Sequence, residues 1–352
     1  MLNIGKRNIG NEAECYITLE AGPTINGFDS AKKLIEIAAK TGADAIKFQI
    51  LSADDLVADK NQLFEYKILK DKVTKATETV KEPLYDILKR RELLDDEWVE
   101  LKNICDHSKI EFFATILSEH HLDLMSKIGV RTVKIASSDI NHIPLIIKAA
   151  KTGMCIQLDT GNASYDEIAY AIKKIEEQGN RKIIIHHCPT GYPADIDSVQ
   201  LAEIPKLKKL FDYPVAFSDH TPGWHMNIAA ICLGANMIEK TITTDRTTPS
   251  VEHMFSLEEE DVRKFITEIR EVEKAIKDTE RKLNPDTKKR YATRRSMFSK
   301  SNIQKGTKIT EDHIEYKRPG FGLGPERLDD ICFKVAKYDI PAGTMIALDQ
   351  VN

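Results

Sequence analysis

The feature that most constrains this chain is an alternation. Short apolar runs rich in β-branched residues recur between amphipathic helical stretches through the first two-thirds of the sequence. Strands are expected near Tyr16–Leu19, Ala45–Gln49, Phe112–Thr115, Thr132–Ile135, Cys155–Leu158, Lys182–His187, Val215–Ser218 and Met237–Ile242. Each is short, mostly apolar and bounded by polar or Gly/Pro positions, which suits parallel strands covered on both faces. Helical spacing fills the gaps. Leu34, Ile35, Ile37 and Ala38 follow Ser30 as a cap, and the same spacing runs over Tyr165–Gln178 and Glu258–Ile276. Eight strand-then-helix units in one run argue for an α/β fold of the (β/α)8 TIM-barrel type rather than a doubly wound sheet.

Two stretches break the rhythm. Leu51 to Leu94 separates the second and third strands and carries Asp54, Asp55, Lys70, Asp71 and Lys72 with Phe64 and Tyr66. A βα insertion of this length reads as a lid over the active face or as a peripheral helical decoration. Beyond Ile276, the charged, Pro-containing stretch 277–290 reads as a linker. From Tyr291 to Asn352 the chain changes to short β-rich pieces with Gly and Pro turns. Ile303-Gln-Lys-Gly-Thr-Lys-Ile309 is echoed by Ile340-Pro-Ala-Gly-Thr-Met-Ile346. The expected organisation is a barrel over 1–276, a linker over 277–290 and a small β-rich domain over 291–352. A length of 352 residues accommodates this.

Composition excludes several classes. There are 51 basic and 55 acidic side chains, a net charge of −4, so nothing points to nucleic acid as a partner. No stretch approaches about 18 apolar residues, so no membrane span is expected. Residues 1–14 are polar and do not read as a secretory signal. Cys15, Cys105, Cys155, Cys188, Cys232 and Cys332 are scattered and form no Cys-x-x-Cys pair. They read as reduced, mostly buried thiols of a cytoplasmic protein.

In a barrel, chemistry collects at the C-terminal ends of the strands. There the sequence places Glu20, Lys47, Gln49, Thr115, Lys134, Ser137, Asp139, Asp159, Tyr192, Ser218 and His220, and, after the eighth strand, Glu252 and His253. Lys47 and Lys134 alternate with apolar neighbours, so both are expected to face the interior, where an unpaired ammonium is costly. They point either to an anionic substrate or to ion pairs with Glu20 or Asp139. Thr115, Ser137 and Ser218 could supplement them around a phosphate or carboxylate. His220 reads as a metal ligand, a general base or a core hydrogen-bonding group. His186 and His187 are adjacent in a strand, so only one can face the barrel.

Five segments taken in order carry a resemblance: Gly42–Ile50 (GADAIKFQI), Val133–Ile140 (VKIASSDI), His186–Pro193 (HHCPTGYP), Phe217–Gly223 (FSDHTPG) and Tyr316–Leu323 (YKRPGFGL). The chain resembles the sialic acid synthases, bacterial enzymes that make N-acetylneuraminate, legionaminate or pseudaminate, over nearly its whole length. Its last part is similar to their antifreeze-like SAF domain. The resemblance implies condensation of phosphoenolpyruvate with the open-chain aldehyde of an N-acylated amino-hexose, with release of phosphate. It implies that Lys47, Thr115, Lys134, Ser137 and Ser218 hold phosphoenolpyruvate and that Glu20, Gln49, Asp139, Thr190, Tyr192 and Glu252 face the sugar. It further implies a divalent metal, Mn2+ or Mg2+, with His220 as a ligand, and a domain-swapped homodimer in which Arg318 reaches a partner's barrel mouth.

The chain departs from the family pattern at several of these positions. Asp159 replaces a serine, Thr190 an asparagine, and Thr24-Ile25-Asn26-Gly27 stands for Asn-His-Asn-Gly. Thr241 replaces the second metal-binding histidine, and Glu252 a shorter aspartate. Asp159 is expected to repel a bound phosphate unless it is paired or turned away. Oxygen ligands such as Glu252, Asp159 or Glu20 could compensate for Thr241. Two other readings stand beside the synthase: a class I aldolase with Lys134 or Lys47 as a Schiff base, and a degenerate, non-catalytic sugar-binding homologue.

Overall fold

Inward and outward faces alternate along each strand, and that alternation closes the first part of the chain into a barrel. The computed structural model describes residues 2–277 and 286–352, which fall into two compact units divided after Lys277. In chain order the strands are β1 (Leu2–Ile4), β2 (Arg7–Ile9), β3 (Tyr16–Glu20), β4 (Ala45–Ile50), β5 (Leu63–Leu69), β6 (Thr77–Pro83) and β7 (Glu111–Ile116). They continue with β8 (Thr132–Ile135), β9 (Cys155–Asp159), β10 (Ile183–His187), β11 (Val215–Asp219), β12 (Met237–Thr241), β13 (Ser296–Ser299) and β14 (Ile314–Lys317). The eight parallel strands β3, β4 and β7 to β12 form one closed barrel, with β12 returning to pair with β3. They coincide with the eight expected runs.

Outward residues such as Ile17, Leu19, Ile46, Phe48, Val133 and Ile135 form the core shared with the surrounding helices. Phe48 meets Trp98 edge-on, with ring centroids 5.7 Å apart, and lies 5.6 Å from Phe112. Inward residues at the strand starts, among them Tyr16, Ala45, Phe113, Ile184 and Met237, make an apolar floor. The polar opening stretch supplies the plug for that floor: β1 and β2 form a hairpin whose Ile4 and Ile9 are buried in it. Higher up, the inward residues turn polar.

Two expectations are corrected. Ser30 is not the cap of the first long helix, which spans Phe28–Thr41. It lies inside the first turn, accepting from the Asn26 N–H at 2.6 Å and donating to the Gly27 carbonyl at 2.9 Å. The insertion is not a mainly helical decoration. Its centre is the antiparallel hairpin β5–β6, with Leu63 opposite Pro83 and Leu69 opposite Thr77. Outward charges hide that strand alternation in the sequence. Tyr66 and Ile68 pack with Ile87 and Val251, and Lys72 pairs with Asp245 at 2.9 Å and Glu258 at 2.5 Å. The hairpin is therefore anchored to the segment that follows β12.

Most of the expected linker, residues 278–285, lies outside the described residues, and its end belongs to a short helix, Thr287–Ala292. In the second unit the sequence echo becomes local pseudo-symmetry. Ile303 and Ile340 pair antiparallel, exchanging two backbone hydrogen bonds of 2.8 Å. All four echo isoleucines, Ile303, Ile309, Ile340 and Ile346, lie in its core. Gly306 and Gly343 turn at φ +85° and +76°, which only glycine adopts without strain.

Phe48→Ala removes the ring that joins Trp98 to Phe112. It should destabilise the barrel by about 3–5 kcal/mol, read as a lowered denaturation midpoint together with a changed Trp98 fluorescence.

Candidate active site

The polar interior is one connected network. Glu239 on β12 is its hub: Oε1 accepts from Lys47 Nζ at 2.6 Å and from Lys134 Nζ at 2.9 Å, and Oε2 lies 3.1 Å from Lys134. Lys47 also pairs with Glu20, its register neighbour across β3 and β4. Lys134 reaches Asp159 at 2.8 Å and donates to Ser218 Oγ at 2.9 Å. Ser218 donates to His186 Nδ1 (2.9 Å), His186 Nε2 donates to Gln157 Oε1 (2.8 Å), and Gln157 Nε2 donates to Thr132 Oγ1 (3.0 Å). Two buried ammonium groups thus meet three buried carboxylates. Removing either ammonium leaves buried carboxylates uncompensated.

Electrostatics follow from that geometry. Burial opposes charge on Glu239, yet Lys134 and Lys47 hold its carboxyl well below the usual carboxylate range. Burial likewise opposes the Lys134 charge, but Asp159 and Glu239 keep its ammonium protonated far above neutrality. Burial raises Glu20, with Lys47 opposing. Burial and the nearby Lys134 charge push His186 down to about 3, so it stays neutral. His187 faces the other way, with Nε2 2.7 Å from the Val199 carbonyl and its ring stacked on Phe217, as strand parity requires.

Glu20, Gln49, Thr115, Lys134, Ser137 and Asp159 occupy adjoining strand ends. Gln49 is level with Thr115, and Thr115 with Lys134. Gly22 makes the Glu20 corner possible: a Cβ there would come 2.5 Å from the Gln49 nitrogen and 2.8 Å from Glu20 Oε1. Ser137 belongs to the same rim, because a Cβ on Gly161 would meet both the Cys188 carbonyl at 2.7 Å and Ser137 Oγ at 3.4 Å. Asp139 ends the Ser137–Asp139 turn with a buried Oδ2 that has no hydrogen-bond partner among the described residues. Lys134 pairs with Asp159 and Glu239, not with Asp139. The concern that Asp159 repels an anion is met by this pairing. Ser218 is fully buried and engaged with Lys134 and His186, so it orients Lys134.

At the mouth, the Tyr192 ring lies against His220, tilted by 38° with centroids 4.5 Å apart. His220 Nδ1 donates to the Pro189 carbonyl at 3.2 Å, which leaves Nε2 with its lone pair. Burial pushes His220 down to about 4. Beneath it, Asp219 and the fully buried Lys240 pair at 2.8 Å and tie the ends of β11 and β12 together. Thr190 is exposed, and its carbonyl accepts from Ser198 Oγ at 3.3 Å. Thr241 Oγ1 donates to Glu252 Oε2 at 3.3 Å. Glu252 sits at φ +72°, a left-handed conformation costing about 1–3 kcal/mol for a non-glycine residue, and Ser256 Oγ holds its carbonyl at 2.7 Å. Burial raises the Glu252 carboxyl to about 8, so it carries a proton at neutral pH.

The residues do not make a ready cation site. Among the described residues, no group of three or more His, Cys, Asp or Glu is disposed to hold a metal. Glu20 and Asp159 are spent on lysines, and Thr241 contacts Glu252. Arg318 is exposed in the second unit, directly after β14. Sequence reasoning places Glu239 at the end of the eighth strand without giving it a role, and does not single out Gln157 or Arg91.

Glu239→Gln keeps the shape but removes the hub charge. Lys47 keeps Glu20 and Lys134 keeps Asp159, so the loss of charge-assisted hydrogen bonds should cost about 1–3 kcal/mol of stability, measured by chemical denaturation.

The family model described as the NeuB family matches residues 34–281, and the SAF domain model matches 294–352. The N,N'-diacetyllegionaminic acid synthase of Campylobacter jejuni is 34% identical, over 91% of this chain and 95% of its own. The enzyme of the same name from Legionella pneumophila is 29% identical, over 97% and 96%. The crystal structure of N-acetylneuraminic acid (sialic acid) synthetase from Leptospira borgpetersenii, in complex with citrate, superposes with a TM-score of 0.69 at 29% identity, covering 82% of this chain and 93% of that one. With a closed eight-stranded barrel, a polar strand-end rim and both family models in sequence order, the chain belongs to the NeuB family and ends in a SAF domain.

Proposed function

We propose that this protein is a nonulosonic acid synthase that condenses phosphoenolpyruvate with the open-chain aldehyde of an N-acylated amino-hexose. The observation that carries the reading is the pair of buried lysines, Lys47 and Lys134, held in one network at the strand-end rim. The enol π pair at carbon 3 of phosphoenolpyruvate forms the new bond to the aldehyde carbon, and the aldehyde oxygen takes a proton. Water adds at carbon 2, and loss of a proton gives a tetrahedral centre. The carbon–oxygen bond to phosphate then breaks as the carbon 2 hydroxyl becomes the keto oxygen and its proton passes to the departing phosphate, leaving the keto acid and inorganic phosphate.

The chain's residues divide this work. Lys47 and Lys134 face the phosphate and carboxylate of phosphoenolpyruvate, with Thr115 and Ser137 on the same rim. An incoming anion competes with Glu20 and Asp159 for these ammonium groups, and burial already favours the protonated form of Glu20. Protonated Glu252, one of the residues grouped around the sugar, donates to the aldehyde oxygen. Glu20, Gln49, Asp139, Thr190 and Tyr192 surround the sugar. No step of this scheme passes through a divalent cation. The homodimer, with Arg318 completing a partner's site, and a cytoplasmic location belong to the same proposal. The six free cysteines accord with a reducing compartment.

The Schiff-base alternative is disfavoured by the state of Lys134. A lysine nucleophile needs a depressed pKa, whereas this one is raised and is hydrogen-bonded to Ser218 and Glu239.

Phosphate release from phosphoenolpyruvate across a panel of mono- and diacetamido hexoses, with mass spectrometry of the products, tests the reaction. Release without a nine-carbon keto acid would refute it. If Glu252 is the acid, kcat should fall above about pH 8 as its proton is lost. Glu252→Gln should lower kcat by about 10²-fold or more and abolish that limb. Arg318→Ala should raise the sugar KM or lower kcat while light scattering still reports a dimer. Unchanged kinetics would remove Arg318 from the site.

A further inference from the structure

The insertion between β4 and β7 contributes a charge that the barrel network does not use. Arg91 follows the short helix Leu84–Lys89 and is only 5% exposed. Its Nε and Nη2 are buried and have no hydrogen-bond partner among the described residues. The adjacent Arg90 behaves differently: it grips Glu82 with Nη1 at 2.9 Å and Nη2 at 2.5 Å, and reaches Ser250 Oγ at 3.3 Å. Ile87 packs in one cluster with Val251. These contacts tie the segment that carries Arg91 to the loop after β12 that carries Glu252. The carboxyls in the charge environment of Arg91 are Glu252 and then Glu20, both among the residues that the resemblance places on the sugar side.

A guanidinium has five N–H donors and no acceptor, and it stays charged. Burying one without hydrogen bonds is an arrangement that folds rarely keep unless something else completes it. The carboxyl nearest in its charge environment, Glu252, is protonated at neutral pH and so is a poor counter-ion. The anion of phosphoenolpyruvate already has Lys47 and Lys134.

We propose that Arg91 is a specificity-determining residue for the acceptor sugar, donating hydrogen bonds to a hexose oxygen that can only accept them: an acyl carbonyl, a carboxylate or a phosphate. This rests on the condensation reading above. The position belongs to the β5–β6 insertion, so acceptor choice is set partly by a segment outside the barrel strands. Arg91 binds and orients the sugar; the bonds that form and break are those already described.

The test compares wild type, Arg91→Leu and Arg91→Lys in phosphate release with four acceptors. These are an N-acetylated hexosamine, the same sugar with a free amine, its 6-phosphate and the corresponding hexuronic acid. Arg91→Leu should raise the KM of the preferred acceptor by about tenfold or more, the scale of one lost charge-assisted hydrogen bond. The phosphoenolpyruvate KM should stay within about twofold. Arg91→Lys should recover part of the loss. The thermal midpoint of Arg91→Leu should be equal to or above wild type, because an apolar side chain replaces an unpaired buried charge. The arm whose preference disappears identifies the oxygen group. A lowered midpoint with unchanged acceptor KM would make Arg91 structural and overturn the proposal, as would a rise confined to the phosphoenolpyruvate KM. If wild type releases phosphate with no acceptor, the condensation reading fails instead. Calorimetric titration of the same sugars then decides for Arg91: binding lost in Arg91→Leu supports it, and binding retained overturns it.

Discussion

The contact on which the site depends is the double acceptance by Glu239. One carboxylate from β12 takes hydrogen bonds from Lys47 on β4 and Lys134 on β8, strands separated in the barrel by β7. Neither ammonium could stay buried alone, and neither could the carboxylate. Each makes the others tolerable, and the remaining valences run out through Ser218, His186 and Gln157 to Thr132. A network satisfied to this degree is rigid, and rigidity gives the rim above it a defined shape.

The network also sets the electrical state of the rim. Its lysines are occupied by carboxylates, so an anion entering there exchanges partners with Glu20 or Asp159 and does not meet free charge. Asp159, which replaces a small hydroxyl residue of the family pattern, becomes part of the lysine cage. Thr241, which replaces an imidazole, becomes a donor to Glu252. The two substitutions that looked most damaging in the sequence are both absorbed by hydrogen bonds, Asp159 with Lys134 of the neighbouring strand and Thr241 with Glu252 of the loop after its own strand. Positive charge not bound to a carboxylate enters from the insertion, through Arg91, so the decoration on the barrel and the chemistry inside it share one boundary.

The fold was legible to a large degree because its signal is local. Period-two alternation in each apolar run placed Ile46 and Phe48 outside and Lys47 inside, and the same rule separated His186 from His187. The isoleucine echo became two facing turns of one small core. The β5–β6 hairpin was missed for a physical reason. Its outward residues are charged and its inward face is narrow, so its period resembles that of a solvated loop. Ser30 was misplaced by one turn because capping residues also serve inside the first turn.

By itself, the sequence determined the barrel, the second unit and which side chains face inward, since each follows from the spacing of residues along the chain. It also marked Lys47, Lys134 and Glu20 as a cluster that must be resolved somehow, because buried charge has to be paired. Only the tertiary structure decided how. The Glu239 hub, the pairing of Asp159 with Lys134 instead of Asp139, the Asp219–Lys240 tie and the unpaired guanidinium of Arg91 all join residues from separate strands or loops. Such contacts depend on barrel closure and strand register, which bring distant positions within a few ångströms and which no local pattern encodes.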